Sequence, residues 1–295
     1  MRHQRPGRLK YLEQFSKELI KDYNDGVAAK KLGKRYDVDG KTIALFLDQH
    51  NIKRRKFDPS LFEYDEKFFI KDTPEKYYFF GFMLGDGCLS TNGTNKYFTI
   101  TLNKDDKCIL LQFCKWLNFK KKNIKTYTNK LGTYVRLNLA GNFIHDGDFS
   151  KYGLVKNKTY DAVIPDIPKK YIAPFLLGLI DADGTVAWKK KEKNICARKG
   201  WQYNHYIYLC GNKLLMDWAI DQLRSMGFKG NINAKLKAGA SKEKSKKDFI
   251  FECFRIQRKQ DILDLANLLN IKKFFPILLK RKWKSLYTEI TFKKE

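Results

Sequence analysis

Two apolar stretches with the same internal spacing constrain the fold of this chain more than any other feature. They read YYFFGFMLGDG, residues 77–87, and PFLLGLIDADG, residues 174–184. In each, a glycine precedes an aspartate by five residues, and a second glycine follows that aspartate. A stretch that is apolar on every side predicts a buried helix. Because glycine has no side chain, the glycine inside each helix predicts that the two helix backbones pack closely.

Each helix is predicted to end at an aspartate, Asp86 in the first and Asp183 in the second. Thr73 followed by Pro74 favours the start of the first helix, and the second is predicted to begin near Ile172. The glycine after each aspartate suits the left-handed turn that ends many helices. A carboxylate is disfavoured at the negative end of a helix, and two packed helices would also bring the two carboxylates together. Both costs fall when a hard divalent cation binds, so the pair predicts a metal site.

The sequence behind each helix repeats one order of elements: two strands, an amphipathic helix, two strands and a helix. In the first copy the strands are predicted near 88–92, 96–103, 122–128 and 133–139, with the helix near 105–117. In the second copy they are predicted near 185–190, 203–210, 230–237 and 249–257, with the helix near 212–226. Apolar and polar residues alternate along the strands, so each sheet is predicted to have a buried face and a polar face. The fourth strands resemble each other as YVRLN and CFRIQ, which place Arg136 and Arg255 on the polar faces.

The charge of the chain predicts a polyanionic partner. Lys and Arg number 59 against 32 Asp and Glu, a formal charge of +27 that is spread along the whole sequence. Lys and Arg neutralise phosphates and release counterions, so nucleic acid is the favoured partner. A membrane surface is disfavoured, because the sequence contains neither a basic amphipathic helix with a clean apolar face nor a long apolar run.

The six cysteines include no C-x-x-C pair. This spacing disfavours a zinc knuckle and a disulfide framework, and it favours a reducing, intracellular setting of unspecified compartment. The N-terminus lacks the apolar region of a secretion signal.

Residues 9 to 55 predict a small helical unit. A helix is expected from Tyr11 to Tyr23, another from Ala28 to Tyr36, and a third from Lys41 to about Gln49. The pattern of the last two resembles the helix-turn-helix of resolvases and related regulators, which would put Lys41 and Thr42 near bases in a major groove. Arg54 and Arg55 follow and would bind phosphate. The alternative is an ordinary helical hairpin, and the acidic residues of the turn would have to cap the following helix.

The stretch LLGLIDADG resembles the signature of the LAGLIDADG homing endonucleases at eight of nine positions, differing at Leu177. The first stretch, FFGFMLGDG, is a looser variant. The resemblance implies an α+β fold in which two pseudo-symmetric αββαββα halves form a saddle of antiparallel sheets over a long double-stranded DNA site. It also implies that one chain carrying two motifs acts as a monomer, that both DNA strands are cut, and that Mg²⁺ is the cofactor, with Mn²⁺ as a substitute. The domains expected are a helix-turn-helix domain at 1–56, a linker at 57–73 and halves at 74–167 and 168–295.

The resemblance assigns site residues by position. Asp86 and Asp183 would hold the metals, together with Gly85 and Ala182 before them, whereas Asp181 would not. A basic residue would serve each metal centre: Lys158 in the first half, and Lys280, Arg281 or Lys282 in the second. Sheet residues expected to contact DNA are Ser90, Asn92, Thr99, Thr101, Asn103, Lys125, Arg136 and Asn138 in the first half. In the second half they are Thr185, Lys189, Tyr206, Tyr208, Lys235 and Arg255.

A protein on the same scaffold that binds without cutting is the main alternative, either a transcriptional regulator or an RNA-splicing maturase. Retention of both aspartates favours cleavage. The sequence leaves open the DNA target, the host and whether the gene lies within an intron.

Overall fold

The computed structural model describes residues 7–25, 27–53, 63–92, 95–119, 124–188, 205–239 and 249–292. The chain divides into two compact units, Met1–Pro59 and Ser60–Glu295, each with its own hydrophobic core. Within the described ranges, every helix is too short or too polar to cross a membrane.

The described part of the first unit contains helices α1 (Gly7–Glu13), α2 (Ser16–Asn24), α3 (Ala29–Arg35) and α4 (Gly40–Gln49). The prediction of one helix from Tyr11 to Tyr23 is wrong, because the helix is interrupted between Glu13 and Ser16. At the break the amide of Phe15 donates to the carbonyl of Leu12 at 2.9 Å. The Phe15 ring packs against Tyr11 and Tyr36.

The turn between α3 and α4 is tight. A methyl group on Gly33 would lie 2.7 Å from the carbonyl oxygen of Val38, so only glycine fits there. Asp39 caps α4, since its side chain accepts the backbone amide of Thr42 at 2.6 Å. This explains an acidic residue in the turn without reference to DNA.

The second unit contains the two predicted halves. The first has α5 (Lys67–Ile70), α6 (Pro74–Gly85), β1 (Gly87–Asn92), β2 (Asn95–Asn103), α7 (Lys107–Trp116), β3 (Ile124–Asn129), β4 (Gly132–Leu139) and α8 (Asn142–Asp146). The second has α9 (Ile172–Asp183), β5 (Thr185–Trp188), β6 (His205–Asn212), α10 (Lys213–Ser225), β7 (Asn233–Gly239), β8 (Phe249–Ile256), α11 (Lys259–Leu268), α12 (Ile271–Phe274) and α13 (Lys280–Phe292). The predicted order of elements is confirmed in both halves.

Two four-stranded antiparallel sheets follow the two long apolar helices, in the strand orders β1-β2-β4-β3 and β5-β6-β8-β7. The predicted alternation is confirmed: Phe98, Ile100 and Leu102 are buried, whereas Thr99 and Thr101 on the other face are not. Strand β7 begins later than predicted. Residue Asn231 before it is held by a hydrogen bond from its amide to the Asp261 carboxylate at 2.9 Å.

The cysteine spacing disfavoured a disulfide framework, and the described residues contain one disulfide. Cys210 and Cys253 face each other across β6 and β8 and form a disulfide. They are separated by 43 residues in sequence, so only the sheet register brings them together.

Candidate active site and nucleic-acid interface

Helices α6 and α9 cross with their backbones in contact. A methyl group on Gly81 would lie 1.9 Å from the carbonyl oxygen of Phe175, and one on Gly178 would lie 2.1 Å from that of Tyr78. Any larger residue would force the helices apart. The glycines therefore permit the close crossing that their spacing predicted.

The ends of these helices lie where the sequence predicted. The Thr73 side chain accepts the amide of Lys76 at the start of α6, and Asp86 directly follows its last residue. Helix α9 runs from Ile172 to Asp183. Each strand pair then leaves the end of its own helix, so each sheet begins beside one aspartate.

The predicted left-handed turn after each aspartate is wrong. Gly184 is extended, with φ −79° and ψ 164°, and Gly87 is not among the glycines with positive φ. Both glycines are needed for space instead. A methyl group on Gly87 would lie 2.6 Å from the carbonyl oxygen of Met83, and one on Gly184 would lie 2.5 Å from that of Ile180. The chain turns back over the last helical turn, and a side chain would collide with it.

Asp86 and Asp183 reach solvent, but protein atoms enclose part of each carboxylate. This enclosure raises the pKa of Asp86 to about 6, and the charge of Asp183 adds to the rise. Enclosure also raises the pKa of Asp183, against the opposing effects of Lys158 and Lys282. Burial of the two carboxylates therefore outweighs the effect of the two lysines on their pKa values.

Lys158 caps the C-terminal end of α6. Its ammonium group donates to the carbonyl oxygens of Met83 at 2.9 Å and Gly85 at 2.6 Å, and also to that of Leu84. Burial lowers the pKa of Lys158 to about 8, although both aspartates act to raise it. A cation thus lies at the negative end of the helix, beside Asp86.

Lys282 plays the matching part in the second half. From α13 its ammonium group donates to the carbonyl oxygens of Asp181 at 2.5 Å, Ala182 at 2.8 Å and Gly184 at 2.7 Å. Burial lowers the pKa of Lys282 as well. Of the three basic residues considered from the sequence, Lys282 is the one placed like Lys158.

Lys280 and Arg281 lie elsewhere on the first turn of α13. Lys280 is exposed. Arg281 donates two hydrogen bonds to the carboxylate of Asp106, at 2.8 Å and 2.7 Å, and so joins the two halves. Asp106, which the sequence did not single out, raises the pKa of Arg281, and the charge of Asp86 adds to that rise. No sequence signal links two residues 175 positions apart.

Asp181, the other aspartate of the second stretch, is completely buried. Its carboxylate accepts hydrogen bonds from the Tyr78 hydroxyl at 2.5 Å, the Leu279 amide at 2.9 Å and the Trp283 indole at 2.9 Å. Burial raises its pKa against these donors. Through these hydrogen bonds the Asp181 carboxylate connects α9 to α6 and to the start of α13.

The donor atoms at the two helix ends suit a hard cation such as Mg²⁺. In the part of the chain that the structure describes, no three His, Cys, Asp or Glu side chains gather closely enough to hold a metal by themselves. The carboxylates of Asp86 and Asp183 and the carbonyl oxygens of Gly85 and Ala182 are all oxygen donors, which Mg²⁺ prefers, and each of these two carbonyls would share its oxygen between the metal and the lysine that already donates to it. Two carboxylates that are both partly enclosed at neighbouring helix ends fit a cation whose remaining ligands come from outside the chain.

The polar face of the first sheet carries the expected residues in an ordered arrangement. Thr99 donates to the Asn138 side chain at 3.1 Å. Arg136 donates to the hydroxyl of Thr101 at 3.0 Å, and its guanidinium lies 5.0 Å from the centre of the Tyr127 ring. The same face includes Ser90 and Lys125, whereas the side chain of Asn103 accepts the Asp105 amide and caps the turn before α7.

The polar face of the second sheet carries Thr185, Tyr206, Tyr208 and Arg255. The Arg255 guanidinium stacks on the Tyr206 ring at 4.2 Å. Arg54, Arg55 and Lys189 lie outside the described residues, as do the side chains of Asn92 and Lys235.

In the first unit, Lys41 is exposed on the first turn of α4. The Thr42 hydroxyl donates to Asp39 at 2.9 Å, so this side chain takes part in the helix cap.

The known proteins that this chain resembles are solved structures. No protein-family model and no curated protein matches the chain. The chain is similar to the homing endonuclease I-WcaI bound to its DNA recognition sequence, with a TM-score of 0.42 and 16% identity over 75% of this chain and 91% of that one. It is similar to the LAGLIDADG homing endonuclease I-LtrWI bound to target DNA, with a TM-score of 0.37 and 14% identity over 74% and 97%. It is also similar to the LAGLIDADG meganuclease I-CpaMI bound to uncleaved DNA, with a TM-score of 0.39 and 12% identity over 76% and 97%.

Proposed function

We propose that this protein is a site-specific endonuclease that cuts both strands of a DNA duplex. Its two catalytic centres are at Asp86 and Asp183. The observation that carries the proposal is the duplicated helix end. Each aspartate stands at the junction of a buried helix and a sheet, and each junction is capped by a lysine, Lys158 or Lys282. Two equivalent centres in one chain match the two strands of a duplex.

The residues at each centre have separable roles in this proposal. Asp86, Asp183 and the carbonyls of Gly85 and Ala182 would hold Mg²⁺. When bound, the metal would offset the charge of the carboxylates and of a phosphate. Lys158 brings a positive charge to the same place, held there by its hydrogen bonds to three carbonyl oxygens. Lys282 supplies the corresponding charge in the second half.

DNA binding is supported by the two polar sheet faces and the charge of +27. Side chains on these faces donate hydrogen bonds of the kind that base edges accept in a major groove. One chain with two halves would bind one duplex as a monomer, which analytical ultracentrifugation of the complex would test.

The central test replaces each aspartate separately. Asp86→Asn and Asp183→Asn are each expected to abolish double-strand cleavage of a target selected with the wild-type protein, because one of the two centres then lacks its negative charge and both are needed to cut both strands. DNA binding should persist or strengthen, since repulsion of phosphate falls. Chelation should stop the wild-type protein, and Mg²⁺ or Mn²⁺ should restore it. The matched control is Asp221→Asn on the exposed side of α10, which should cut normally.

Two results would reject the proposal. If Asp86→Asn or Asp183→Asn cuts both strands at the wild-type rate, the catalytic assignment is wrong. If the wild-type protein binds a duplex tightly but never cuts it with either metal, the chain is a non-cleaving regulator. Binding and splicing of an intron RNA without DNA cleavage would instead make it a maturase.

The first unit is proposed to add DNA affinity without adding chemistry. Its support is the helix-turn-helix arrangement of α3 and α4, with Lys41 exposed at the start of α4. Lys41→Ala should weaken binding and reduce its dependence on salt, while leaving the cleaved bond unchanged. Equal affinity and equal salt dependence would mean that this helix does not contact DNA.

A further inference from the structure

The two sheets place their arginines differently relative to the catalytic aspartates. The sequence match of YVRLN with CFRIQ aligns Arg136 with Arg255 and suggests that they mirror each other. The backbone pairing of the strands gives a different alignment, and the inference below rests on the proposed DNA cleavage.

In the first half, the residue two positions after Asp86 is Cys88. Cys88 pairs with Thr99 of β2. Thr99 in turn pairs with Asn138 of β4. The row of residues that starts at Cys88 therefore reaches Asn138 and not Arg136.

In the second half, the residue two positions after Asp183 is Thr185. Thr185 pairs with Tyr208 of β6. Tyr208 in turn pairs with Arg255 of β8. Arg255 thus stands in the row equivalent to that of Asn138.

Arg136 lies in the next row on the same face, two residues along β4. It pairs with Thr101 and with Lys125. The equivalent row in the second half contains the disulfide-bonded pair Cys210 and Cys253. Where the first half has Arg136 on β4, the second half has the disulfide-bonded Cys253 on β8.

The residues that end β2 and β6 give the same offset. Asn103 and Asn212 each end their strand and cap the helical segment that follows. Asn103 pairs with Tyr134, which precedes Arg136 by two residues. Asn212 pairs with Phe251, which precedes Arg255 by four residues. The two arginines are therefore out of step by two residues.

The side chains increase this offset. The guanidinium of Arg255 stacks on the ring of Tyr206. Along β6, Tyr206 lies two residues further from the catalytic end than Tyr208, the residue that pairs with Arg255. Arg136 instead donates a hydrogen bond to Thr101, the residue that pairs with it. Its guanidinium lies over the ring of Tyr127, which is displaced from Arg136 toward the catalytic end of the sheet.

We propose that Arg136 and Arg255 each read a guanine, and that the two guanines lie at unequal distances from the centre of the cut. Two residues of a strand span about 6.7 Å. One base pair of B-DNA rises about 3.4 Å, so the backbone offset alone puts the guanine read by Arg255 about two base pairs further out, and the side chains add to this distance. Arginine forms two parallel hydrogen bonds with guanine in the major groove, which makes this the expected base. The target is consequently asymmetric in these contacts, although the protein is pseudo-symmetric.

The test is a specificity profile of the full chain. A target is selected from a randomised duplex library with the wild-type protein, its cut bonds are mapped, and every base pair is then substituted in turn. Arg136→Met and Arg255→Met, which keep the side-chain length, should each lose guanine preference at one position by roughly 5-fold to 100-fold. The affected position for Arg255→Met should lie at least about two base pairs further from the centre of the cut than that for Arg136→Met.

A gain-of-contact variant tests the same offset without removing an arginine. Asn138→Arg places arginine in the row equivalent to that of Arg255. It should create a new guanine preference in the first half-site, at the mirror image of the position that Arg255 reads. Lys115→Met on α7 is the matched control and should leave the profile unchanged.

The outcomes separate this inference from the proposed function. If the wild-type protein cuts but the two variants relax mirror-image positions, the inference is wrong and the proposed function stands. If neither arginine variant changes the base preference of a properly folded, active protein, the arginines do not read bases. If the wild-type protein selects no target, both fail together.

Discussion

Replacement of Asp181 by leucine should strongly destabilise the second unit. Leucine is the residue at the corresponding position of the first stretch, where it is Leu84. The buried carboxylate accepts hydrogen bonds from the Tyr78 hydroxyl, the Leu279 amide and the Trp283 indole. Leucine leaves all three donors buried without an acceptor. Each orphaned donor costs about 1–3 kcal/mol.

The net loss should be smaller than the sum of three such costs, because the burial penalty of the carboxylate also disappears. A loss of about 3–5 kcal/mol is typical when one partner of a buried charged network is removed. For a unit of this size, each kcal/mol lowers the melting temperature by about 2–4 °C, so a fall of roughly 6–20 °C is expected.

Urea unfolding followed by tryptophan fluorescence, with thermal melting in parallel, would measure the change. A double-mutant cycle with Tyr78→Phe makes the test specific. Removing the hydroxyl should cost about 1 kcal/mol or more in the wild-type protein and much less beside Leu at position 181, because its acceptor has gone. Asp221→Leu, on an exposed helix face, should change stability by less than about 0.5 kcal/mol. An Asp181→Leu protein as stable as the wild type, or equal effects of Tyr78→Phe in both backgrounds, would refute the reasoning.

Three further outcomes are expected. Gly178→Ala should cost about 3 kcal/mol of unfolding free energy or more, because its methyl group would lie 2.1 Å from the Tyr78 carbonyl oxygen. Lys282→Met should slow cleavage by roughly 10²-fold while DNA affinity changes little, since the positive charge proposed to serve the second centre is lost. Asp86→Asn should raise the melting temperature of the metal-free protein at pH 8 and not at pH 4. The raised pKa of Asp86, about 6, means that its proton favours the folded state at low pH and that this contribution is lost as pH rises through about 6.

Each outcome has a control of the same chemical change. Gly7→Ala adds a methyl group that meets no atom within 4 Å, so its stability should not fall. Lys284→Met, on the exposed side of the same helix, should leave the cleavage rate unchanged. Asp221→Asn should give the same melting temperature as the wild type at both pH values. A Lys282→Met protein that cuts as fast as the Lys284→Met protein would remove Lys282 from the site.

The sequence determined the parts of this protein that depend on local pattern. The apolar run with Gly178 at its centre can only be a buried helix in close contact with another, and Gly81 repeats the condition in the first stretch. The alternation of Phe98 with Thr99 determines which face of the first sheet is buried, because side chains on a strand point to opposite faces in turn.

The tertiary structure decided everything that depends on residues far apart in the chain. Lys282, rather than Lys280 or Arg281, reaches the end of α9 because of the way α13 packs. The sequence alone does not show which residue of this basic run faces that helix end. The Asp106–Arg281 pair and the Cys210–Cys253 disulfide likewise depend on packing between elements.

The two arginines show the same division within one motif. The sequence placed Arg136 and Arg255 on the polar faces correctly, because the face of a strand depends only on alternation along it. It aligned them with each other wrongly, because register depends on the partner strand. A shift of two residues keeps every side chain on its own face, so local pattern cannot detect it, and only the pairing of β4 with β2 and of β8 with β6 decides the row in which each arginine stands.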